Sequence, residues 1–363
     1  MDIQRRLSSW IETKLPGADR VCVEGLDRAA MGHSAETFFL TVNWHDDGGD
    51  HSNDIVIRVR PPAPGLLEPY DLRRQFEVLR GLEATSVRSP RALWFEPSGT
   101  VLGQEFYVME RLPGTVYERV LPAEIANDPV RVRRMCESLV DQVAAIHMVD
   151  LGATGLQSIG NGRGYLDEEI AKWSGEMRRV QRGPLPALEH LAQVLREQLP
   201  MQCPSVTLVH GDAKPGNFAF WEGEVTAVLD WEMASIGDPL ADIGWAEVLW
   251  NTPGSFTSRP GALSADEMVS RWEQLTGIRA EHRPWYRAFQ AFKMAVILLV
   301  AGHLFDAGHT DDMRFMEMTY SIHPLTQLGL SQLGIDEPLE PGPVLPREDR
   351  IVAVRRLQDP AIH

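Results

Sequence analysis

A chain of 363 residues with 44% hydrophobic and 24% charged residues has the balance of a folded globular protein of one large domain or two, which excludes a disordered or fibrous chain. Its formal net charge of −16 argues against nonspecific nucleic-acid binding, which needs a basic face. Three scattered cysteines, Cys22, Cys136 and Cys203, lack metal-ligand spacing and suit a reducing cytoplasm, and the N-terminus has no apolar signal core.

Residues 2–15 place Ile3, Leu7, Trp10 and Ile11 on one helical face before the Pro16-Gly17 break. Val21 and Val23 alternate as in a strand, and residues 38–43 do so again. Between them lies Gly32-His33-Ser34-Ala35-Glu36-Thr37, a small-residue loop that either folds over phosphates or simply turns a hairpin. Residues 46–50 have hairpin-turn composition. The next strand, 55–60, stops at Pro61-Pro62 and carries Arg58 and Arg60 on one face, a place for one phosphate-binding cation and one solvated one. Leu72, Phe76 and Leu79 form the stripe of a helix over 70–82, and strands are expected over 91–96 and 104–109. A small β-sheet with one helix therefore occupies residues 20–109, and Glu110–Gly114 breaks the pattern.

Beyond residue 123 the pattern turns helical. Met135, Leu139, Val143 and Ile146 mark a long helix ending near His147, followed by a glycine-rich connection over 152–164. Helices are expected over 165–179, with Ile170, Trp173 and Met177 inward, and over 188–199, 241–250, 264–275, 284–307 and 311–330; Ser264 and Glu267 form a capping-box pattern. The longest apolar run, Met294–Gly302, is too short to span a bilayer and reads as buried helix. The tail after Gly334 is rich in proline and charge and reads as an extended strap.

One polar stretch interrupts the helices. Two short apolar runs, 206–209 and 225–229, read as a hairpin-like pair of strands, each leading into a turn with a carboxylate, Asp212 and Asp230. Asn217 stands five residues after Asp212. Acid, amide and second acid on adjoining turns suit the joint holding of a metal and a nucleophile.

His210-Gly211-Asp212-Ala213-Lys214-Pro215-Gly216-Asn217 resembles the catalytic loop of the aminoglycoside phosphotransferase-like (choline kinase-like) family, and Leu229-Asp230-Trp231-Glu232 with Gly237-Asp238-Pro239 and Asp242 resembles its metal-binding segment. Arginine at position 58, Pro61-Pro62 and Tyr107-Val108-Met109-Glu110 are similar to a branch related to the kinase-like domain of some acyl-CoA dehydrogenases. The resemblance spans roughly residues 20–330. It implies an α+β, bilobal protein-kinase-like fold: a β-rich nucleotide-binding lobe at 1–109 with a helical extension over 1–19, a hinge at 110–114, a helical lobe at 115–334 and a C-terminal strap at 335–363.

The resemblance also implies roles. Asp212 is the catalytic base, and Asn217 and Asp230 hold Mg²⁺ on the phosphates of ATP or GTP. Gly32, Ser34 and Thr37 belong to the phosphate-covering loop, and Glu110 and Leu112 to the hinge that meets the nucleotide base. Arg58 and Gln75 stand where the family usually has a lysine and its glutamate partner. His210, Asp238 and Asp242 brace the catalytic loop, and Lys214 is a phosphate contact or a surface lysine. The expected partner is a small-molecule hydroxyl compound, an aminoglycoside or another antibiotic-like alcohol, with no nucleic acid and no membrane; a hydroxyacyl-CoA-type kinase and a nucleotide-binding pseudokinase are the alternatives. Glu168, Glu169, Glu176, Asp306, Asp311 and Asp312 either face a cationic acceptor or are solvated, and Trp173, Trp245, Trp250 and Trp285 either line an apolar pocket or pack the core.

Overall fold

The computed structural model describes residues 3–28, 36–118, 120–201, 203 and 205–336. The chain divides into two compact units, Met1–Arg163 with Cys203–Ala280, and Gly164–Gln202 with Glu281–His363.

In the first unit, α1 (Ile3–Glu12) is followed by β1 (Asp19–Arg28), β2 (Glu36–Asp46) and β3 (Gly49–Val59), then α2 (Leu72–Leu82), β4 (Ala92–Glu96) and β5 (Phe106–Glu110). The five strands make one antiparallel sheet in the order β1-β2-β3-β5-β4. Alternation of side chains along β3 and β5 divides its residues between two faces. Ile55, Ile57, Val59, Phe106 and Val108 join Leu7 and Ile11 of α1 in a continuous core. The intervening Arg58 and Tyr107 pair across the strands on the opposite face. There α2 packs Phe76 against Tyr107 and Phe95, with ring centroids 6.2 and 5.5 Å apart. The second arginine, Arg60, just past the end of β3, pairs with Glu105 at 2.9 Å.

A short strand β6 (Thr115–Val116) leads to α3 (Ala123–Ala126), α4 (Pro129–His147) and α5 (Leu151–Thr154). Asp128 starts α4 by accepting hydrogen bonds from the Val130 and Arg131 N–H groups, with Pro129 at the first turn, and the Met135–Ile146 stripe is buried as its spacing predicts. The glycine-rich connection is not bare loop, since α5 lies within it. Helices α6 (Tyr165–Val180) and α7 (Pro186–Glu197) belong to the second unit.

The chain then returns to the first unit with β7 (Thr207–Val209), β8 (Phe218–Trp221), β9 (Glu224–Val228), β10 (Ser235–Gly237), α8 (Leu240–Leu249) and α9 (Ala265–Thr276). The two apolar runs around Asp212 and Asp230 do not form the expected hairpin. β7 pairs with β10, whereas β9 pairs with β8, which in turn pairs with β6. Each run thus finds its partner in a strand that the sequence reading did not include, β10 for β7 and β8 for β9. The capping box at Ser264 and Glu267 forms in both directions.

The second unit contains α6, α7, α10 (Arg283–Asp306), α11 (Met313–Glu317) and α12 (Ile322–Gln332). The single helix expected over 311–330 is broken by a 3₁₀ turn at Met318–Ser321. Met294–Gly302 proves to be part of a 24-residue helix, α10, which is long and apolar enough to cross a membrane by length and composition; 72% of its most apolar window is buried within the fold. α10 packs against α6, α7 and α12.

Trp173, Trp245, Trp250 and Trp285 are each at most 4% exposed, which places them in cores. Glu169 is not the solvated charge its sequence suggested. It accepts from the Trp173 indole at 2.9 Å and lies 3.4 Å from Lys172 and 3.9 Å from the buried Lys293. Asp306 pairs with Arg182 at 3.1 Å, Glu176 with Arg179 at 2.6 Å, and Asp312 caps α11.

Candidate active site

The turn after β7 carries His210, Gly211 and Asp212, and its geometry is imposed by one carboxylate. Asp242, on the first turn of α8, accepts from the His210 N–H at 2.7 Å and from the Gly211 N–H at 2.8 Å. The same carboxylate faces His147 Nε2 at 3.1 Å. The Trp272 indole can only donate, and it donates to His147 Nδ1 at 2.9 Å, so the imidazole proton sits on Nε2 and points at Asp242. Burial by itself raises the Asp242 pKa, but the hydrogen bonds from His147 and from the His210 backbone outweigh it and hold the carboxyl below its ordinary value. Thus α4, α8 and α9 converge on two consecutive peptide groups of the turn.

Gly211 has φ +83°, and a Cβ there would overlap the Met233 carbonyl oxygen. Gly211→Ala is expected to displace Asp212 and lower turnover by more than about tenfold, since misplacement on the scale of 1 Å costs that much or more. Steady-state rates beside the melting temperature of the variant check this; turnover equal to the parent protein's would refute it.

His210 donates from Nε2 to the Leu229 carbonyl at 2.9 Å and accepts the Asp212 N–H at Nδ1 (3.2 Å), which joins the first turn to the second. The Leu229 N–H donates to the Asn217 carbonyl at 2.8 Å, a second such tie. Asn217 Nδ2 donates to Asp212 twice, to its carbonyl and to Oδ2, each at 2.8 Å. Lys214 Nζ lies 3.0 Å from the same Oδ2. Burial opposes the Lys214 charge, but the Asp212 carboxylate outweighs it and raises the ammonium pKa. Asp212 Oδ1, in a residue only 7% exposed, has no hydrogen-bond partner among the described residues.

Asp230 stands at the second turn in left-handed conformation, φ +65° and ψ +62°, which is costly for a non-glycine residue. Its Oδ1 pairs with Arg58 Nη2 at 2.8 Å. Burial disfavours both charges, but each stabilises the other: the Asp230 pKa falls below its usual value and the Arg58 pKa rises above its own. Arg58 also points Nη1 at the Thr37 hydroxyl, 3.4 Å away.

The structure therefore brings Thr37, Arg58, Asp212, Asn217 and Asp230 into one linked group. Gln75 is buried beside it, accepting from the Tyr107 hydroxyl at 3.4 Å. Among the described residues no hydrogen bond joins Arg58 to Gln75; Arg58 meets the Asp230 carboxylate, a stronger partner than a neutral amide. Glu110 and Leu112 lie at the end of β5; Glu110 pairs with Arg91 at 3.2 Å. Gly32 and Ser34 lie outside the described residues. Sequence reasoning did not select Tyr70, His147, Glu232 or Trp272. Only Glu232 carried a local signal, its place two residues after Asp230.

A model of the phosphotransferase enzyme family matches residues 26–285, more than half of the chain. The chain belongs to this phosphotransferase family. Acyl-CoA dehydrogenase family member 11 of Rattus norvegicus is 28% identical over 346 residues, 90% of this chain and 42% of that protein. Acyl-CoA dehydrogenase family member 10 of Mus musculus is 30% identical over 257 residues, 67% of this chain and 24% of that protein. This phosphotransferase thus spans less than half the length of these curated relatives. Among solved structures, a protein of Ralstonia eutropha JMP134 assigned as an aminoglycoside phosphotransferase shares the fold with a TM-score of 0.74 and 24% identity, over 91% of this chain and 98% of that one. A macrolide 2′-phosphotransferase of Brachybacterium faecium does so with a TM-score of 0.53 and 18% identity, over 93% and 99%. The expected α+β kinase-like fold and the resemblance to the branch found in acyl-CoA dehydrogenase relatives are both borne out. The expected enzyme class, a phosphotransferase, is that of this family.

Proposed function

We propose that this phosphotransferase moves the γ-phosphoryl group of ATP or GTP to the hydroxyl of a small molecule with Asp212 as the base, gripping the nucleotide between the residue 1–109 lobe, the 110–114 hinge and the turns at Asp212 and Asp230. The observation that carries this reading is Asp212 Oδ1, a buried carboxylate oxygen without a partner among the described residues, while Oδ2 is held by Asn217 and Lys214. A buried acceptor left open costs stability, so it calls for a function. The acceptor hydroxyl donates its hydrogen bond to Oδ1, its oxygen attacks the γ-phosphorus, its proton passes to Asp212, and the nucleoside diphosphate leaves with the electrons of the broken P–O bond.

Mg²⁺ takes hard oxygen ligands, usually one or two carboxylates together with phosphates and waters. The residues fit. Asn217 commits its nitrogen to Asp212, which leaves its amide oxygen as the ligand, and Asp230 retains an oxygen beyond the one facing Arg58. Bound there, the ion would neutralise phosphate charge. Arg58 and Lys214 supply further positive charge, and Arg58 can hold a phosphate oxygen with the Nη2 that now meets Asp230. Asp230→Asn is expected to weaken nucleoside diphosphate binding in Mg²⁺ by about tenfold or more while leaving metal-free binding within about twofold. Calorimetric titration with and without Mg²⁺ reads this; equal metal dependence in both proteins would remove Asp230 from the metal site.

The relatives give a specific reason for a second acceptor class. They bear the acyl-CoA dehydrogenase name, which favours a hydroxyacyl thioester over an aminoglycoside or macrolide. Nucleotide consumption across aminoglycosides, macrolides, sugars, choline-like alcohols and hydroxyacyl-CoAs separates these readings. No turnover with any of them, combined with Mg²⁺-independent nucleotide binding, would instead indicate a pseudokinase.

A further inference from the structure

The neutral Gln75 leaves helix α2 without an ionic hold on Arg58, yet α2 is fastened to the metal turn by another route. The Tyr70 hydroxyl, just before the helix, donates to Glu232 Oε2 at 3.1 Å. Arg74, on its first turn, donates to the Glu232 carbonyl at 3.4 Å. Glu232 lies in the 3₁₀ turn Trp231–Met233 that follows the left-handed Asp230 directly. A grip on Glu232 therefore holds the turn that follows Asp230 and presents its carboxylate. Tyr70 is only 4% exposed, and burial pushes its phenol pKa far above the usual range, so it remains a donor.

We propose that Tyr70 and Glu232 are positioning residues that replace the strand–helix ion pair: their hydrogen bond ties α2 to the Asp230 turn and sets the geometry in which Arg58 and Asp230 receive the nucleotide phosphates. This rests on the reading of the site as a Mg²⁺-nucleotide site. The arrangement shifts the link from the sheet to the metal turn. Loss of either partner should loosen the same element, and loss of both should do no more.

The test is calorimetric titration of the full chain with ADP, with and without Mg²⁺, for the parent protein, Tyr70→Phe, Glu232→Leu and the double variant, with melting temperatures measured alongside. Each single change is expected to weaken MgADP binding about tenfold, the double change no more than about twofold further, and metal-free ADP binding is expected to be unaffected. Glu232→Gln, which keeps an acceptor oxygen for Tyr70, is expected to bind within about threefold of the parent. Singles that bind like the parent, or effects that multiply to about a hundredfold, would overturn the link, as would a Glu232→Gln variant as weak as Glu232→Leu. A parent protein that binds no MgADP overturns the nucleotide-site reading itself and this inference with it; a parent that binds normally beside unaffected variants overturns the inference alone. If Glu232→Leu melts well below the parent, Tyr70→Phe and Glu232→Gln still decide the matter, because neither changes packing volume.

Discussion

Asp212→Asn is expected to lower phosphoryl transfer by about 10²–10⁴-fold, the contribution of a positioned base, while nucleotide affinity stays within about threefold of the parent. The substitution keeps the size of the side chain and an oxygen that can still accept from Asn217 Nδ2, as Oδ2 does now. What it removes is the ability to take a proton at the oxygen that the fold leaves unpartnered, Oδ1. It also strips Lys214 of its counter-charge, 3.0 Å away, so some loss of acceptor binding can accompany the loss of rate. The measurement is nucleotide consumption with whichever acceptor the panel identifies, next to a nucleotide titration on the same preparation. Turnover within tenfold of the parent would mean that another group takes the proton.

Asp242→Asn is expected to cost about 3–5 kcal/mol of stability, and to lower turnover as well, although this residue touches no substrate. The carboxylate is fully buried and faces three donors, the His210 and Gly211 N–H groups and His147 Nε2. An amide offers one oxygen to three donors and turns its own NH₂ toward at least one of them. A unit of this size should lose roughly 10 °C in melting temperature. The effect carries a pH signature. Because the folded-state pKa of Asp242 lies below the unfolded value, its ionised form adds stability above about pH 4, and that contribution fades as pH falls through the lower folded pKa. The stability gap between parent and variant should therefore be constant from pH 6 to pH 8, on the order of the figure above, and narrow below about pH 4. Denaturant titrations across that range test it; a gap that widens in acid would contradict the assignment.

The local patterns were legible where neighbours in sequence decide the outcome. The Leu7 and Ile11 stripe, the capping box at Ser264, the buried face of α4 and the strand through Ile55–Val59 all formed as their spacing dictates. The hairpin read from residues 206–229 did not form, because pairing depends on which strand edge lies nearest and β10 was there to take β7. The charge of Glu169 read as solvated because one of its cationic partners, the buried Lys293, is remote in sequence.

For the candidate site, the spacing of Asp212, Asn217 and Asp230 pointed to a place that holds a metal and a nucleophile, and the resemblance of the motifs around them pointed to the family that the comparison shows. The chain alone also determined that Arg58 lies on the face of β3 opposite Ile57, because strand side chains alternate. Only the tertiary structure decided which acid Arg58 meets. Asp230 is 172 residues away, Tyr70 meets Glu232 across 162 residues, and His147 meets Asp242 across 95. No periodicity encodes such distances. Helix and strand patterns report the face a side chain presents, whereas its partner is set by how the packed elements bring distant turns together, and in this protein that packing gave Asp230 an arginine, Glu232 a tyrosine and Asp212 one oxygen left open.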